Sequence, residues 1–277
     1  MDALDIEKPC IDVPDEGYNT EWSTEFSVQE AFEEYVKSWF LLHILNKMFG
    51  LSQLDERAFV FNMSVGYDLE GIKSPKIDGF IEGLKDASKT EIFQECVRDL
   101  KHAIEAGQIP NISDPAFADS ISPKISNSIT LSTMHGTPPD EQEGICRYLI
   151  SEKKVHTFVK LNPTLLGYDY VQGVFDQQEY DHIRLKEESF THDMQYDDAI
   201  EMVRSLQAFA KENGVTFGIK LSNTLPVVNE KGQLPTEEMY MSGRALYPLT
   251  VNLSNKLAQE FGGEITISYS GGATYFN

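Results

Sequence analysis

The stretch that decides the fold runs Val155-His156-Thr157-Phe158-Val159-Lys160-Leu161-Asn162-Pro163-Thr164-Leu165-Leu166-Gly167. Its apolar residues predict a buried β-strand, and Pro163 ends that strand because proline cannot donate to a strand ladder. Lys160 and Asn162 therefore lie at the carboxyl end of the predicted strand. Ligands bind at this end of the strands in parallel α/β folds.

A second apolar strand repeats the same order of residues further along the chain. Residues 215–226 place Lys220 at a strand end, followed by Asn223 and Thr224, and a proline closes the segment. The carboxyl ends of parallel strands share one edge of a sheet, so we expect the polar residues of both strand ends to form one site.

Strands and helices alternate six times along the chain, mostly with short connections. This alternation predicts a parallel sheet with crossover helices, and no hairpin signal interrupts it. A TIM (β/α) barrel and an open doubly wound sheet both fit, and six strands leave a barrel short by about two. Besides the segments that carry Lys160 and Lys220, the predicted strands cover residues 59–65, 128–132, 181–188 and 265–268.

Cap residues predict where two of the helices begin. Ser27 and Glu30 form a capping box before a long amphipathic helix, which Gly50 ends. Thr137 is predicted as the N-cap of a later helix, with Pro138 in the first helical position.

Length and composition indicate one large α/β domain and exclude several classes of function. The 277 residues are 41% hydrophobic, and a formal net charge of −21 repels nucleic-acid phosphates. The three cysteines lack Cys-x-x-Cys spacing, which argues against a disulfide framework and against a zinc or iron–sulfur site in this segment. No apolar run is long enough to span a bilayer, and no secretory signal opens the chain. We therefore expect a soluble, cytoplasmic protein that binds no nucleic acid and no metal.

Two glycine pairs, Ser242-Gly243 and Gly271-Gly272, lie at predicted strand-to-helix junctions. Glycine at such a junction lets backbone N–H groups approach a phosphate, and the helix that follows adds a favourable dipole. Each pair alone is also explained by turn conformation. Together, on consecutive late units, the pairs resemble the phosphate site of a barrel.

Three interpretations fit the strand-end lysines, Lys160 and Lys220. In the first, the lysines extend from the barrel mouth into water. In the second, one of them forms a Schiff base, which requires a lowered pKa that makes its amine nucleophilic. In the third, they stabilise an electron-rich cofactor ring. Composition leaves all three open. The neighbouring amide and hydroxyl groups favour recognition of a ring.

His135 lies between a predicted strand and a capped helix. It donates to a ligand or bonds a loop carbonyl, and the structural interpretation is favoured. The polar run at residues 186–193 is interpreted as a solvated charge run. The sequence contains no Walker loop, zinc-helix signature or nucleophile elbow.

Several segments resemble the flavin barrel of the dihydroorotate and dihydropyrimidine dehydrogenases. These segments are Phe-Val-Lys-Leu-Asn-Pro at 158–163, Asn223-Thr224, Ser-Gly-Arg-Ala-Leu-Tyr-Pro at 242–248 and Ser270-Gly271-Gly272. The sequence is still more similar to the "putative selenate reductase" subunit family of the YgfK type, and this resemblance covers nearly the whole chain. The runs that carry it are residues 7–12, 19–26, 61–67, 186–193 and 239–246.

The resemblance implies an FMN-binding barrel. One strand-end lysine would contact the isoalloxazine ring, the strand-end amides would lie beside the flavin, and the two glycine loops would hold its phosphate. The cofactor-binding residues predicted in this way are Lys160, Lys220, Asn162, Asn223, Thr224, Ser242, Gly243, Gly271 and Gly272.

The catalytic residues implied by the resemblance are Thr137 and His135. In the dehydrogenases a cysteine or serine acts as the general base toward the substrate, and the aligned position here is Thr137. A threonine hydroxyl is a poor base without an activating partner, so this departure puts the family's proton abstraction in doubt. The substrate would lie over the ring, near both residues.

The resemblance also implies that residues 1–277 form a single, incomplete (β/α) barrel that lacks its amino-terminal units and its last unit. Residues 1–26 are predicted as an extended lead-in. Iron–sulfur clusters and FAD or NAD(P)H are expected only in other regions of a larger reductase. The predicted partners are a small-molecule substrate and those other domains or subunits.

The leading hypothesis is therefore a flavin-dependent oxidoreductase that passes electrons between FMN and a small substrate. Two alternatives remain open. One is a Schiff-base lyase or aldolase on a similar barrel, which would use Lys160 or Lys220. The other is a barrel that has lost catalysis and serves as a scaffold in a reductase complex, which the threonine at position 137 favours.

Overall fold

The structure is a computed structural model that describes residues 11–12, 18–19, 26–51, 59–232 and 234–273. The helices are α1 Val28–Phe49, α2 Leu69–Lys73, α3 Pro75–Lys85, α4 Glu91–Glu105, α5 Ala116–Ser120, α6 Pro139–Ser151, α7 Tyr168–Gln177, α8 Glu187–His192, α9 Tyr196–Glu212 and α10 Tyr247–Glu260. The strands are β1 Ile11–Asp12, β2 Tyr18–Asn19, β3 Met63–Val65, β4 Ser128–Leu131, β5 His156–Leu161, β6 Phe217–Leu221, β7 Leu225–Val228, β8 Glu238–Met241 and β9 Thr266–Tyr269. Short 3-10 turns cover Pro163–Leu166 and Gly243–Leu246.

A five-stranded parallel sheet is the centre of the fold, with the strand order β3-β4-β5-β6-β9. The predicted parallel sheet with crossover helices is therefore confirmed. The predicted strand at residues 181–188 is wrong. Leu185 forms only an isolated bridge to Val227, and α8 begins at Glu187. A single bridge cannot hold a strand in the sheet.

The two faces of the sheet differ in polarity. In β5, Thr157, Val159 and Leu161 are buried, whereas Phe158 and Lys160 point to the other face and are partly exposed. Side chains alternate between the faces of a strand, and the apolar face is covered by helices such as α6 and α9. The polar face carries Lys160, one of the predicted site residues.

A second, antiparallel sheet has the order β1-β2-β8-β7. The sequence predicted no hairpin here, because Pro226 and the polar residues 229–237 are typical of a loop. Instead, Leu225, Val227 and Met241 are fully buried in a separate apolar cluster. Tertiary burial therefore outweighs the local loop signals. Of the predicted lead-in, residues 11–12 and 18–19 are strands of this sheet, and most of the rest lies outside the described residues.

The helix ends follow the predicted caps in one case and depart from them in another. The Ser27–Glu30 capping box is present, with Ser27 N donating to Glu30 Oε2 at 2.8 Å, and Gly50 adopts a left-handed conformation after α1. The predicted N-cap at Thr137 is wrong, since α6 begins at Pro139 and no side chain caps it. The Thr137 hydroxyl instead donates to the Met134 carbonyl within the preceding turn, at 2.8 Å.

Within the described residues the parallel sheet is not closed. β3 and β9 form its two edges, and neither pairs with the other. The architecture is therefore an incomplete (β/α) barrel, as the sequence predicted. Its interior face, which a closed barrel would fill with layers of side chains, remains partly accessible.

Candidate functional site

The carboxyl ends of the central strands form one continuous rim. Beyond the last residues of the strands, Asn223 N donates to Leu161 O at 2.8 Å, and Ser222 N donates to Ser270 O at 2.8 Å. These bonds join the loops that follow β5, β6 and β9. The predicted grouping of strand-end residues on one side of the sheet is therefore seen in the backbone.

The two strand-end lysines lie side by side. Lys160 and Lys220 are register partners on β5 and β6, and Lys220 is in turn the partner of Ser268 on β9. Both side chains are partly buried, and neither makes a hydrogen bond or an ion pair with a described residue. Among the residues that the structure describes, these two positive charges therefore lie together without an acidic partner.

This arrangement changes the chemistry of Lys160. Burial first, and then the charge of Lys220, lower the pKa of the Lys160 amine to about 8. A partly buried ammonium group beside another cation is unfavourable unless an anionic or electron-rich group approaches it. The geometry therefore favours a ligand of that kind at the rim.

The two predicted glycine loops touch each other. A Cβ atom on Gly272 would lie 2.5 Å from Arg244 Cα, and one on Gly271 would lie 2.6 Å from Thr250 Oγ1. Gly243 and Gly272 also have positive φ angles, of 69° and 78°. Only glycine allows this approach, so the loops form a close-packed backbone wall just before the amino end of α10.

A hydrogen-bond network on the rim centres on Asp193, immediately after α8. Asp193 Oδ2 lies 2.9 Å from His135 Nδ1 and accepts from Asn162 Nδ2 at 2.9 Å and from Thr164 Oγ1 at 2.7 Å. Its other oxygen accepts from Gly136 N at 2.8 Å. Four donors from two loops therefore fix a single carboxylate.

Asp193 is almost completely buried, with a side chain 2% exposed. Burial acts to raise the pKa of its carboxyl, but the hydrogen bond and charge of His135, together with the bonds from Thr164 and Gly136, outweigh that effect and lower it. The sequence placed this residue in a solvated charge run. Its partners are 29, 31 and 58 residues away, so no local pattern could have found it.

The same network connects the two predicted asparagines. Asn223 Nδ2 donates to Asn162 Oδ1 at 2.9 Å, so both amides belong to one chain of bonds that ends at Asp193. Asn162 lines neither of the cavities described below, so it would affect a ligand only through its bonds to Asp193 and Asn223. Asn223 and Thr224 line a cavity directly.

Two cavities adjoin His135. The first, of about 210 Å³, is lined by Ser64, Val65, Gly66, Ser132, Thr133, Met134, His135, Asn223, Thr224 and Tyr240. The second, of about 520 Å³, is lined by Met134, His135, Gly136, Lys186, Glu188, Ser189, His192, Asp193, Glu238 and Tyr240. Met134, His135 and Tyr240 border both cavities and form the wall between them.

The wall is built from stacked rings. The His135 and Tyr240 rings lie 5.2 Å apart between centroids at an angle of 33°. Tyr240 donates to Glu238, which also accepts from Lys186. His135 Nε2 is buried and has no hydrogen-bond partner within the described ranges of the chain. An unpartnered buried nitrogen is unfavourable, so it indicates a missing contact.

The lysines lie next to the smaller cavity along the sheet. Leu131 is the register partner of Val159, so Ser132 and Lys160 follow in the same row, and Ser132 lines the cavity. The lysines themselves do not line it. Thr137 lines neither cavity, because its hydroxyl is used by the turn at Met134.

The family described as "Oxidoreductase YgfK, N-terminal TIM-barrel domain" matches residues 1–277 of the chain. The chain belongs to this family. Two curated relatives, from Escherichia coli strain K12 and Escherichia coli O157:H7, are both named "Putative oxidoreductase YgfK". Each is 49% identical over 282 residues, which is 99% of this chain and 27% of the relative.

The family description agrees with the TIM-barrel fold that the sequence predicted, and it refers to the N-terminal domain of a protein described as an oxidoreductase. The chain spans 27% of the length of these relatives, which therefore contain further regions. In the part of the chain that the structure describes, no helix is both long and apolar enough to cross a membrane. The same residues contain no group of three or more His, Cys, Asp or Glu side chains that could hold a metal ion.

Proposed function

We propose that this YgfK-family domain binds FMN at the carboxyl-terminal rim and is the flavin-dependent part of a larger oxidoreductase. The observation that carries the proposal is the pair of lysines, Lys160 and Lys220, which have no acidic partner in the described part of the chain and lie on the rim that also holds the two glycine loops. Cofactor chemistry of this type transfers a hydride or single electrons, and the protein supplies binding and electrostatics.

The residues present fit such a cofactor in three ways. The lysine pair offers positive charge to an electron-rich ring, and the touching glycine loops lie near the amino end of α10, where the helix dipole favours a phosphate. The cavity beside Asn223 and Thr224, of about 210 Å³, is smaller than the roughly 300 Å³ at which ligand pockets begin. It therefore suits the ring alone, with the phosphate held at the glycine loops.

In this proposal each group has a separate role. Lys160 and Lys220 hold positive charge beside the ring, Asn223 and Thr224 orient it, and the loops at Gly243 and Gly272 hold its phosphate. The electron donor or acceptor would reach the domain from the regions present in longer relatives, where we expect the iron–sulfur clusters and FAD or NAD(P)H.

The test is titration of the purified protein with FMN and with riboflavin, followed by flavin fluorescence. We expect FMN to bind more tightly than riboflavin, since riboflavin lacks the phosphate. Lys160→Met should weaken both by about tenfold, the equivalent of 1.4 kcal/mol. Gly272→Ala should weaken FMN alone, because its new methyl group would push the phosphate loops apart.

Gly232→Ala is the matched control for the loop variant. Gly232 also has a positive φ angle, of 66°, but no atom lies within 4 Å of its added Cβ. Equal affinities for FMN and riboflavin in the wild-type protein would contradict the phosphate assignment. No binding of either flavin would contradict the proposed function itself.

A second candidate is Schiff-base chemistry, which the lowered pKa of Lys160, about 8, specifically favours. An amine with a depressed pKa beside another cation is a competent nucleophile toward carbonyl compounds. Borohydride reduction in the presence of pyruvate, followed by mass spectrometry, would label Lys160 if this chemistry occurs. Strong labelling without flavin binding would favour a lyase or aldolase.

A further inference from the structure

The buried carboxylate of Asp193 begins a chain of hydrogen bonds that ends at the wall of the smaller cavity. Asp193 Oδ2 accepts from Asn162 Nδ2 at 2.9 Å, and Asn162 Oδ1 accepts from Asn223 Nδ2 at 2.9 Å. Asn223 lines the cavity of about 210 Å³, in which the proposed function places the flavin ring. We call these three side chains the amide relay, because two amides connect a buried charge to the ligand side of the site.

The direction of both amides follows from the charge of Asp193. Burial raises the pKa of its carboxyl, but the hydrogen bond and charge of His135 outweigh this effect and lower it, so the group is ionised at neutral pH and can only accept. Asn162 must therefore turn its Nδ2 toward Asp193, which leaves its Oδ1 for Asn223. Because an amide oxygen only accepts, Asn223 must turn its Nδ2 toward Asn162.

This order leaves Asn223 Oδ1 as the amide atom that is available to a ligand. It makes no hydrogen bond with a described residue, and it is not one of the fully enclosed polar atoms of those residues that lack a partner. It therefore keeps accessible surface, and the cavity is the open space that Asn223 borders. The backbone N of Asn223 is already used, since it donates to Leu161 O at 2.8 Å.

We propose that Asp193 is a positioning residue that fixes this wall of the cavity as a hydrogen-bond acceptor, so that the cavity selects a ring with an N–H group opposite Asn223. The inference rests on the proposed function for the identity of the ring. Oxidised FMN has one ring N–H group, at N3 of its pyrimidine portion. We therefore expect that edge of the flavin to face Asn223.

The other polar groups of the cavity do not select a donor or an acceptor. A hydroxyl group can either donate or accept, so it adapts to both kinds of ligand. The hydroxyl-bearing side chains of the lining, apart from Tyr240, which donates to Glu238, are Ser64, Ser132, Thr133 and Thr224. The amide of Asn223, by contrast, cannot turn while Asp193 keeps its charge. Specificity for an N–H group therefore comes from the amide relay.

An isosteric change at Asp193 should reverse the amide relay. Asp193 Oδ1 accepts from Gly136 N at 2.8 Å, and a backbone N–H group cannot become an acceptor. In Asp193→Asn the side-chain oxygen should therefore stay at Gly136, and the new NH₂ group should take the place of Oδ2. The three side chains that contact Oδ2 can all turn to accept. Asn162 would then donate to Asn223, whose NH₂ group would face the cavity.

The first experiment measures the affinity for FMN by flavin fluorescence. We expect Asp193→Asn to weaken FMN binding by about tenfold or more, because two donors would face each other across the cavity. Thr164→Val is the matched control. It also removes one bond to Asp193 Oδ2, but it keeps the charge and the amide relay, so FMN should bind nearly as it does to the wild-type protein.

A double-mutant cycle separates this role from a purely structural one. Asn223→Ala removes the end of the amide relay, so Asp193→Asn should have no further effect on FMN affinity in that background. If Asp193 only stabilised the surrounding loops, Asp193→Asn would weaken FMN equally with and without Asn223. That result would overturn the inference.

NMR of FMN labelled with ¹⁵N at N3 reports the contact itself. In the wild-type protein the N3–H proton should move downfield on binding and exchange slowly with water. Both effects should be lost in Asp193→Asn and in Asn223→Ala. A bound N3–H signal that is the same in the wild-type and Asn223→Ala proteins would contradict the proposed contact.

Neutron diffraction from deuterium-exchanged crystals without flavin decides the direction of the amides, because it distinguishes an ND₂ group from an oxygen. We expect the oxygen of Asn223 to face the cavity in the wild-type protein, and its nitrogen to do so in Asp193→Asn. A wild-type nitrogen there would overturn the inference. If FMN does not bind at all, the proposed function fails, and the neutron map still decides whether the wall is an acceptor. If Asp193→Asn does not fold, the wild-type map and the Asn223→Ala spectra decide.

Discussion

The two lysines near the ends of β5 have opposite electrostatic surroundings. Before the strand, Lys153 is buried and forms ion pairs with Asp78 and Glu82, the latter at 3.2 Å. At the carboxyl end, Lys160 is partly buried beside Lys220 and has no acidic partner among the described residues. Burial lowers the pKa of both amines, but the carboxylates reverse this for Lys153 and raise its pKa, whereas that of Lys160 falls to about 8.

Under the proposed function, this difference separates a charge that stabilises the fold from one that binds a ligand. A chain with 44 acidic residues could easily have supplied a carboxylate near Lys160. None of the acidic residues that the structure describes pairs with Lys160, which lowers the stability of the protein without ligand, and functional sites commonly carry such a cost. Three predictions use the comparison, beginning with the largest expected effect.

The first prediction concerns Lys160 and the dependence of stability on pH. The folded-state pKa of about 8 is below the roughly 10.4 of an unfolded lysine, so the unfolded chain binds more protons between these values. This group therefore makes stability rise as pH increases from about 8 to about 10.4. Lys160→Met should remove that rise and stabilise the ligand-free protein at pH 7 by on the order of 3 kcal/mol.

Urea unfolding of the wild-type and Lys160→Met proteins at several pH values measures this effect as a difference curve. Lys220→Met is the companion variant, because it removes the neighbouring charge and should recover part of the same stability. A Lys160→Met protein less stable than wild type at pH 7 would mean that Lys160 has an anionic partner in the fold, and the comparison would fail.

The second prediction concerns the other end of the strand. Lys153→Met should destabilise the protein by about 2 kcal/mol, since charge-assisted hydrogen bonds to two carboxylates are lost. Thermal and urea unfolding would measure it. Lys154→Met is the control, because that exposed side chain donates to Asn213 Oδ1, and its loss should cost less than about 0.5 kcal/mol. Equal effects of the two variants would argue that the buried pair contributes little.

The third and smallest effect is expected at Thr137. Thr137→Ala removes one hydrogen bond to Met134 O and should cost about 1 kcal/mol of stability. Because this hydroxyl lines neither cavity, FMN affinity should remain at the wild-type value. A loss of FMN affinity would return Thr137 to the candidate site.

The sequence predicted the parts of the molecule that depend on local patterns. Alternating apolar residues and the proline after Asn162 located the central strand and its polar end, and the adjacent segment located Lys220 and Asn223. Parallel strands end on one rim, so the grouping of these residues needed no further information. The capping box at Ser27 was equally local.

The remaining features depend on contacts between distant segments. The hairpin of β7 and β8 forms because its apolar residues reach a second core, although Pro226 and the residues after Val228 indicate a loop. Asp193 becomes a buried centre only through His135, Asn162 and Thr164. A pattern of neighbouring residues cannot report burial that is created by long-range partners.

The pairing of β2 with β8 has a practical consequence for anyone who prepares this protein. Asn19 is the register partner of Tyr240, the residue whose ring stacks on His135 and borders both cavities. The short strand β2, Tyr18–Asn19, therefore supports the strand that carries the wall of the site. A truncation that removes β2 would remove this pairing and act on that wall.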